Sequence, residues 1–445
     1  MPNHGNRGIG NALRAATLPH NAAMTAPTTA PMTAPMTGSV PPELDDAALA
    51  AIRRDIHAHP ELGFEEQRTS DLVAARLSEW GIAVDRRFAR TGVVGVVHGR
   101  DGGACGRMVG LRADMDALPV QEANRFAHAS RHPGVMHACG HDGHTAMLLG
   151  AAARLARERD FDGSAVLIFQ PAEEGRGGAQ AMVDERLFEH YPVEAVFGLH
   201  NWPGYPQGSI ACSPGPVMAA PSTFRLVIHG RGSHAALPHE SIDPVPLACQ
   251  IVLAWQNIVS RNKRPLDTAV LSVTMVHAGE ATNVVPDSCT LEGTVRTYRE
   301  EVTDLVERRM RQLAEHSCAA FGARAEFEFV RRAPAVVNHP HESAVAQRVA
   351  ARVCAPGLAL AQEPAMPSED FAFMLQARPG AYAFIGNGSG EGEGDHRSPG
   401  HGAGPCMLHN PSYDFNDALL PLGVTYWVEL VKEWLGAPPP AATGR

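Results

Sequence analysis

The chain has 445 residues, more than one hydrophobic core fills, because single cores stop growing at roughly 250 to 300 residues. It is 44% hydrophobic and 19% charged with a formal net charge of -10, a balance that opposes the basic surface nucleic acid requires. No apolar run approaches the roughly 18 residues of a membrane span, so neither nucleic acid nor a membrane is expected as a partner.

Residues 1 to 40 contain Arg7 and Arg14, no acidic residue and the quasi-repeat "TAPTTAPMTAPMTG". Such a segment offers little to pack and reads as a disordered tail. It lacks the apolar stretch of a secretory signal, and Met24, Met32 and Met36 leave room for a downstream start. The eight cysteines include no C-x-x-C pair, which disfavours a disulfide framework or zinc ribbon and suits a reducing cytoplasm.

From residue 41 the elements follow in order. "LDDAALAAIRRDIHAHPEL" and "EEQRTSDLVAARLSEWG" have helical spacing, the first stopped by Pro60 and the second by Gly81. Short apolar strands follow in "TGVVGVVHG", "RMVGLRA", "SAVLIFQ" and "VEAVFGLH", with the helical "HTAMLLGAAARLARE" among them. This alternation predicts an α/β sheet covered by helices. Between about 214 and 334 the order becomes βαββαβ, a two-layer insert. The α/β pattern then resumes and closes on the amphipathic "DFNDALLPLGVTYWVELVKEWLG". The expected division is a tail at 1–40, a catalytic domain at 41–213 and 335–437 split by the insert at 214–334, and a short tail at 438–445. A Gly-rich stretch at 387–404 reads as a mobile loop.

Chemistry concentrates where strands end, as it does in open α/β sheets. "HACGHDGHT" (137–145) places Cys139 and His141 one glycine apart, and a glycine allows backbone angles that turn both side chains toward one ion. The bland alternative is a helix start capped by Asp142 with His144 exposed. "QPAEEG" adds Glu173 and Glu174, adjacent carboxylates that repel unless a cation neutralises one and the other serves as a base. His200 in "GLHNWP" and His409 in "MLHNPSYDFND" complete a thiolate, imidazole and carboxylate set suited to zinc, manganese, cobalt or nickel.

Taken with "HAHPELGFEE", "LRADMDALP", "GSHAALPH", "TNVVPD", "GTVRT" and "SEDF", these motifs resemble, from about residue 44 to 437, the metal-dependent amidohydrolases that include hippurate hydrolases, indole-acetyl amino acid hydrolases and aminoacylases, relatives of glutamate carboxypeptidases. The resemblance implies a zinc-peptidase-like catalytic domain with a ferredoxin-like insert as lid and dimerisation domain, and hence a homodimer or dimer-based oligomer. It implies two divalent metal ions held by Cys139, His141, Glu174, His200 and His409, with Glu173 as catalytic base. His234, Asn283 and Arg296 become lid residues for the substrate, a small N-acyl amino acid of hippurate type. A dipeptidase or N-acetyl amino acid deacetylase is the nearest alternative. Asp114 and Asp142 are expected to steady ligand imidazoles, although both also suit helix or strand caps. Glu369 and Asp370 in "SEDF" carry no chemical role that the sequence reveals.

Two other readings are weaker. "IHGRGSHAA" has the G-x-G-x-x-A spacing of a dinucleotide site, but Leu237-Pro238 arrives where its helix should open. A non-catalytic metal protein would not need Glu173 beside Glu174. No G-x-S-x-G elbow is present, which removes the commonest serine hydrolase reading.

Overall fold

The computed structural model describes residues 41–388 and 407–436. The tails expected at 1–40 and 438–445, and nearly all of the Gly-rich stretch at 387–404, lie outside these residues. Among the described residues, no helix is long and apolar enough to cross a membrane.

The apolar runs read as strands pair into a mixed eight-stranded sheet. Its centre is parallel, with Ser164–Gln170 beside Met108–Asp114, then Ala195–Trp202, then Gly380–Gly386. Parallel strands covered on both faces are apolar along their whole length rather than alternating, and Ser164–Gln170 is accordingly buried throughout. Successive side chains point to opposite faces. Thus Val109, Leu111 and Ala113 pack under helices Asp46–Ala58, His141–Glu158, Pro340–Val353 and Leu420–Leu435. Val166 and Ile168 pack on the other face against Gly178–Asp184 and Ala372–Ala377.

A second, four-stranded antiparallel sheet runs Ala269–Ala278, Ser288–Thr297, Ala220–His229, Arg324–Arg331. In chain order these strands alternate with helices Pro244–Asn257 and Glu300–Ala320. This is the βαββαβ path and strand order of a ferredoxin-like layer, as the sequence predicts. Trp255, fully buried, packs on Phe224 and donates its indole N–H to Met310 O at 3.0 Å. Helix Pro244–Asn257 continues as a π-turn over Ile258–Asn262.

Candidate metal centre

Three strands of the large sheet and one helix packed on it deliver the polar side chains to one place. Asp114 ends strand Met108–Asp114, and His141 opens helix His141–Glu158. Glu173 and Glu174 follow strand Ser164–Gln170, and His200 lies near the end of Ala195–Trp202. Gly140, between Cys139 and His141, has φ +93°, a left-handed conformation that glycine adopts without strain. His409 arrives from far along the chain, where its backbone N–H donates to Ala138 O at 2.7 Å.

Ligand atoms of Cys139, Glu174 and His409 lie within 4.8 Å of one another, as do those of His141, Glu173 and Glu174. Cys139 Sγ is 3.5 Å from His200 Nε2, and His409 Nε2 is 3.1 Å from Glu174 Oε1. All five residues expected as ligands therefore converge around Cys139 and Glu174. Both buried imidazoles are held from behind: His141 Nδ1 contacts Asp116 O at 2.8 Å and His200 Nδ1 contacts Asn201 O at 2.7 Å. A proton on each Nδ1 leaves the Nε2 lone pair facing inward, the orientation a metal requires.

His141 Nε2 is buried with no hydrogen-bond partner among the described residues. Such atoms are costly unless something absent from the protein satisfies them. Burial, together with Glu174 and Glu173, pushes the Cys139 thiol well above its ordinary range; a cation would reverse this and favour the thiolate. Burial and neighbouring His144 keep His200 neutral, well below the usual histidine range. The donor set thus fits divalent metal of the zinc, manganese, cobalt or nickel type.

Glu173, 8% exposed, sits beside Glu369 and Asp370, whose backbone N–H reaches Glu173 Oε1 at 3.3 Å. Burial, then Glu369 and Glu174, raises its carboxyl well above the ordinary value, so it binds a proton far more tightly than a solvated glutamate. The pair that the sequence left without a role belongs to this environment. Arg112, buried, joins the group by donating to Asp114 Oδ2 at 2.7 Å, Glu369 Oε1 at 2.8 Å and Gln170 Oε1 at 2.8 Å. Tyr382 Oη donates to Glu369.

The residues expected to steady the ligands are arranged differently. Asp114 Oδ1 bonds His144 Nδ1 at 2.6 Å, while its Oδ2 stands 3.7 Å from His141 Nε2. His144 is buried rather than exposed, with Nε2 against Asn201 Oδ1 at 2.7 Å, so it braces the site from below. Asp142 reaches no ligand imidazole: its carboxylate takes His57 Nδ1 at 2.8 Å, because the helix turns it toward Asp46–Ala58. The partner that sequence reading missed is Asp116. Its carbonyl holds His141 and its Oδ2 accepts the Glu174 backbone N–H at 2.9 Å. It lies two residues past Asp114 in the same "RADMDALP" motif, and that repetition was the available signal.

His234 and Asn283 are neighbours on the insert, in the bridge that pairs Val284 with His234, and Ala235 N–H donates to Asn283 O at 3.0 Å. Both are exposed. Arg296, half-buried in Ser288–Thr297, donates to Val295 O. Among the described residues, no hydrogen bond or ion pair joins these three to the metal-site side chains.

Residues 110–433 match the model of peptidase family M20/M25/M40. The chain is 38% identical over 384 residues to N-acetylcysteine deacetylase of Bacillus subtilis, spanning 86% of this chain and 95% of that protein. It is also 38% identical over 385 residues to hippurate hydrolase of Campylobacter jejuni, spanning 86% and 96%. The crystal structure of Bacillus subtilis YXEP protein, described as a dinuclear metal binding peptidase from the M20 family, superposes with a TM-score of 0.74 and 35% identity, covering 88% of this chain and 99% of that one. Converging candidate ligand side chains, a buried glutamate beside them and these likenesses together place the chain in peptidase family M20/M25/M40, as a metal-dependent amidohydrolase.

Proposed function

We propose that the protein hydrolyses the amide bond of small N-acyl amino acids, releasing a carboxylic acid and a free amino acid. The observation that carries this reading is Glu173, buried with a raised carboxyl pKa beside an inward-facing ligand set. Two divalent ions held by Cys139, His141, Glu174, His200 and His409 would supply a water of lowered pKa and polarise the substrate carbonyl. Glu173 takes the proton of the attacking water and passes it to the leaving nitrogen. Burial, with Glu369 and Glu174 beside it, makes this carboxyl hold a proton more tightly than a solvated glutamate, which lets it carry the proton between the two transfers. Asp116 and Asn201 orient the imidazoles throughout.

The ferredoxin-like insert is read as a lid over the centre, and the division at 41–213, 214–334 and 335–437 follows from it. His234, Asn283 and Arg296 would meet the substrate carboxylate only when lid and catalytic domain close, or across a subunit boundary. A homodimer is favoured by the insert's outer strand, Ala269–Ala278, whose Val270, Met275 and Val276 are 39%, 43% and 60% exposed. An unpaired edge of this kind invites a second copy. A cytoplasmic location agrees with the unpaired cysteines among the described residues.

The relatives differ in acyl group: one is named for N-acetylcysteine and another for hippurate. Benzoylglycine is the leading substrate, with N-acetyl amino acids second. Steady-state hydrolysis of benzoylglycine and N-acetylcysteine by protein reloaded with zinc, manganese, cobalt or nickel decides between them. Higher kcat/KM on benzoylglycine supports the first reading. Higher kcat/KM on N-acetylcysteine replaces it with the deacetylase, and silence on both overturns the substrate class.

A further inference from the structure

We infer that Arg53 is a positioning residue for His409, latching the segment that carries this last ligand onto the helix that carries His141. The inference rests on the metal-centre reading above. Arg53 is 1% exposed and donates from Nε to Asp417 Oδ1 at 2.6 Å, from Nη1 to Asp414 Oδ1 at 2.7 Å and from Nη2 to Phe415 O at 3.1 Å. Its Nη1 also lies 3.6 Å from Asp142 Oδ2, the residue directly after His141. One planar guanidinium, whose fixed fork suits several acceptors at once, therefore joins two parts of the chain that each bring a ligand.

His409 needs such a hold. Its φ of +67° is unfavourable for any residue with a Cβ, and conformations of this kind persist only where the surroundings over-determine them. The near end of the segment is fixed by His409 N–H on Ala138 O. The far end, Asp414 to Asp417, is fixed by Arg53 from within, with Arg54 Nε on Asp417 Oδ2 at 2.7 Å and His128 Nε2 on Asp414 Oδ2 at 3.1 Å outside it. Between these anchors His409 extends its Nε2 to Glu174, yet its own side chain is 53% exposed and gains little from packing. Position rather than burial must hold it at the centre.

The test neutralises an acceptor carboxylate rather than removing the buried cation. Asp417, whose side chain is 18% exposed, is changed to Asn, and zinc affinity and stoichiometry are read by chelator competition in wild type, Asp417→Asn, His409→Ala and the double variant. Loss of groups that orient ligands commonly weakens metal binding about 10- to 100-fold. The latch predicts about tenfold weaker binding of one ion in Asp417→Asn, unchanged binding of the other, and no further loss when Asp417→Asn is added to His409→Ala. An equal loss in the His409→Ala background, or no loss with the fold intact, overturns it. Hydrogen exchange provides the second readout: faster amides confined to residues 409–417 support the latch, and acceleration throughout the chain refutes a local role. Wild-type protein that binds no zinc would overturn the metal centre itself, a failure distinct from two ions bound equally well by wild type and variant.

Discussion

Replacing Arg112 by Met tests the charged layer behind Glu173. The guanidinium is 1% exposed and lies 2.7 Å from Asp114, 2.8 Å from Glu369 and 3.4 Å from Asp370, and it also packs over the Phe371 ring. Methionine keeps most of the apolar stem but leaves three buried carboxyl groups without their cation. Breaking a buried ion pair by removing one partner costs about 3–5 kcal/mol, a large share of the roughly 5–15 kcal/mol that holds a typical domain together. Burial alone would raise Asp114, but His141 and Arg112 keep it well below the usual carboxylate range. Without Arg112 that group titrates at higher pH, so the variant's deficit is greatest above the ordinary carboxylate range and narrows as pH falls and Asp114 protonates. Urea unfolding of wild type and Arg112→Met at pH 7 and pH 4 measures both effects. A loss under about 1 kcal/mol at pH 7, in the range of an exposed pair, would show that the network is solvated and the account of Glu173's surroundings is wrong.

Burial pushes Glu66 from 4.5 up to about 7, against opposing hydrogen bonds from Thr91 Oγ1 and Ala172 N. The native state then holds this proton more tightly than the unfolded chain, so its stabilising effect is complete below about pH 4.5 and disappears as pH rises through 7; at 1.36 kcal/mol per pKa unit it amounts to about 3 kcal/mol. The stability of wild type relative to Glu66→Gln should fall by that order between pH 4.5 and 7, and a constant difference would refute the shift. Gly143 packs against the Phe415 ring so closely that a Cβ would overlap it. Gly143→Ala should therefore cost about 1–3 kcal/mol in chemical unfolding, as overpacked sites do, and should displace Phe415; a neutral effect would mean that the ring moves freely.

Periodicity in the sequence carried most of the fold, because buried parallel strands such as Ser164–Gln170 and long amphipathic helices such as Leu420–Leu435 repeat one pattern over many residues. Two-residue strands such as Ile210–Ala211 and Ala359–Leu360 are too short to show a period. The candidate ligands Cys139, His141, Glu174 and His200 were legible because each stands beside a strand end or a glycine within a compact motif, and His409 because it falls in a motif with a second histidine-asparagine pair. Their supports were not. Whether His141 rests on Asp114, Asp116 or Asp142 depends on which way a helix turns, and a one-residue rotation by about 100° sends Asp142 to His57 instead. Arg53 meets Asp414 across 361 residues of chain, and nothing local to either announces the contact.

The most direct test of the account is turnover and metal content measured together in Glu173→Gln and wild type, on benzoylglycine and N-acetylcysteine after reloading with zinc or manganese. The account predicts equal metal occupancy in the two proteins and a kcat lower by about 10²–10⁴-fold in the variant, the usual worth of a general acid–base. A Gln variant that retains its metal and turns over within tenfold of wild type would contradict it.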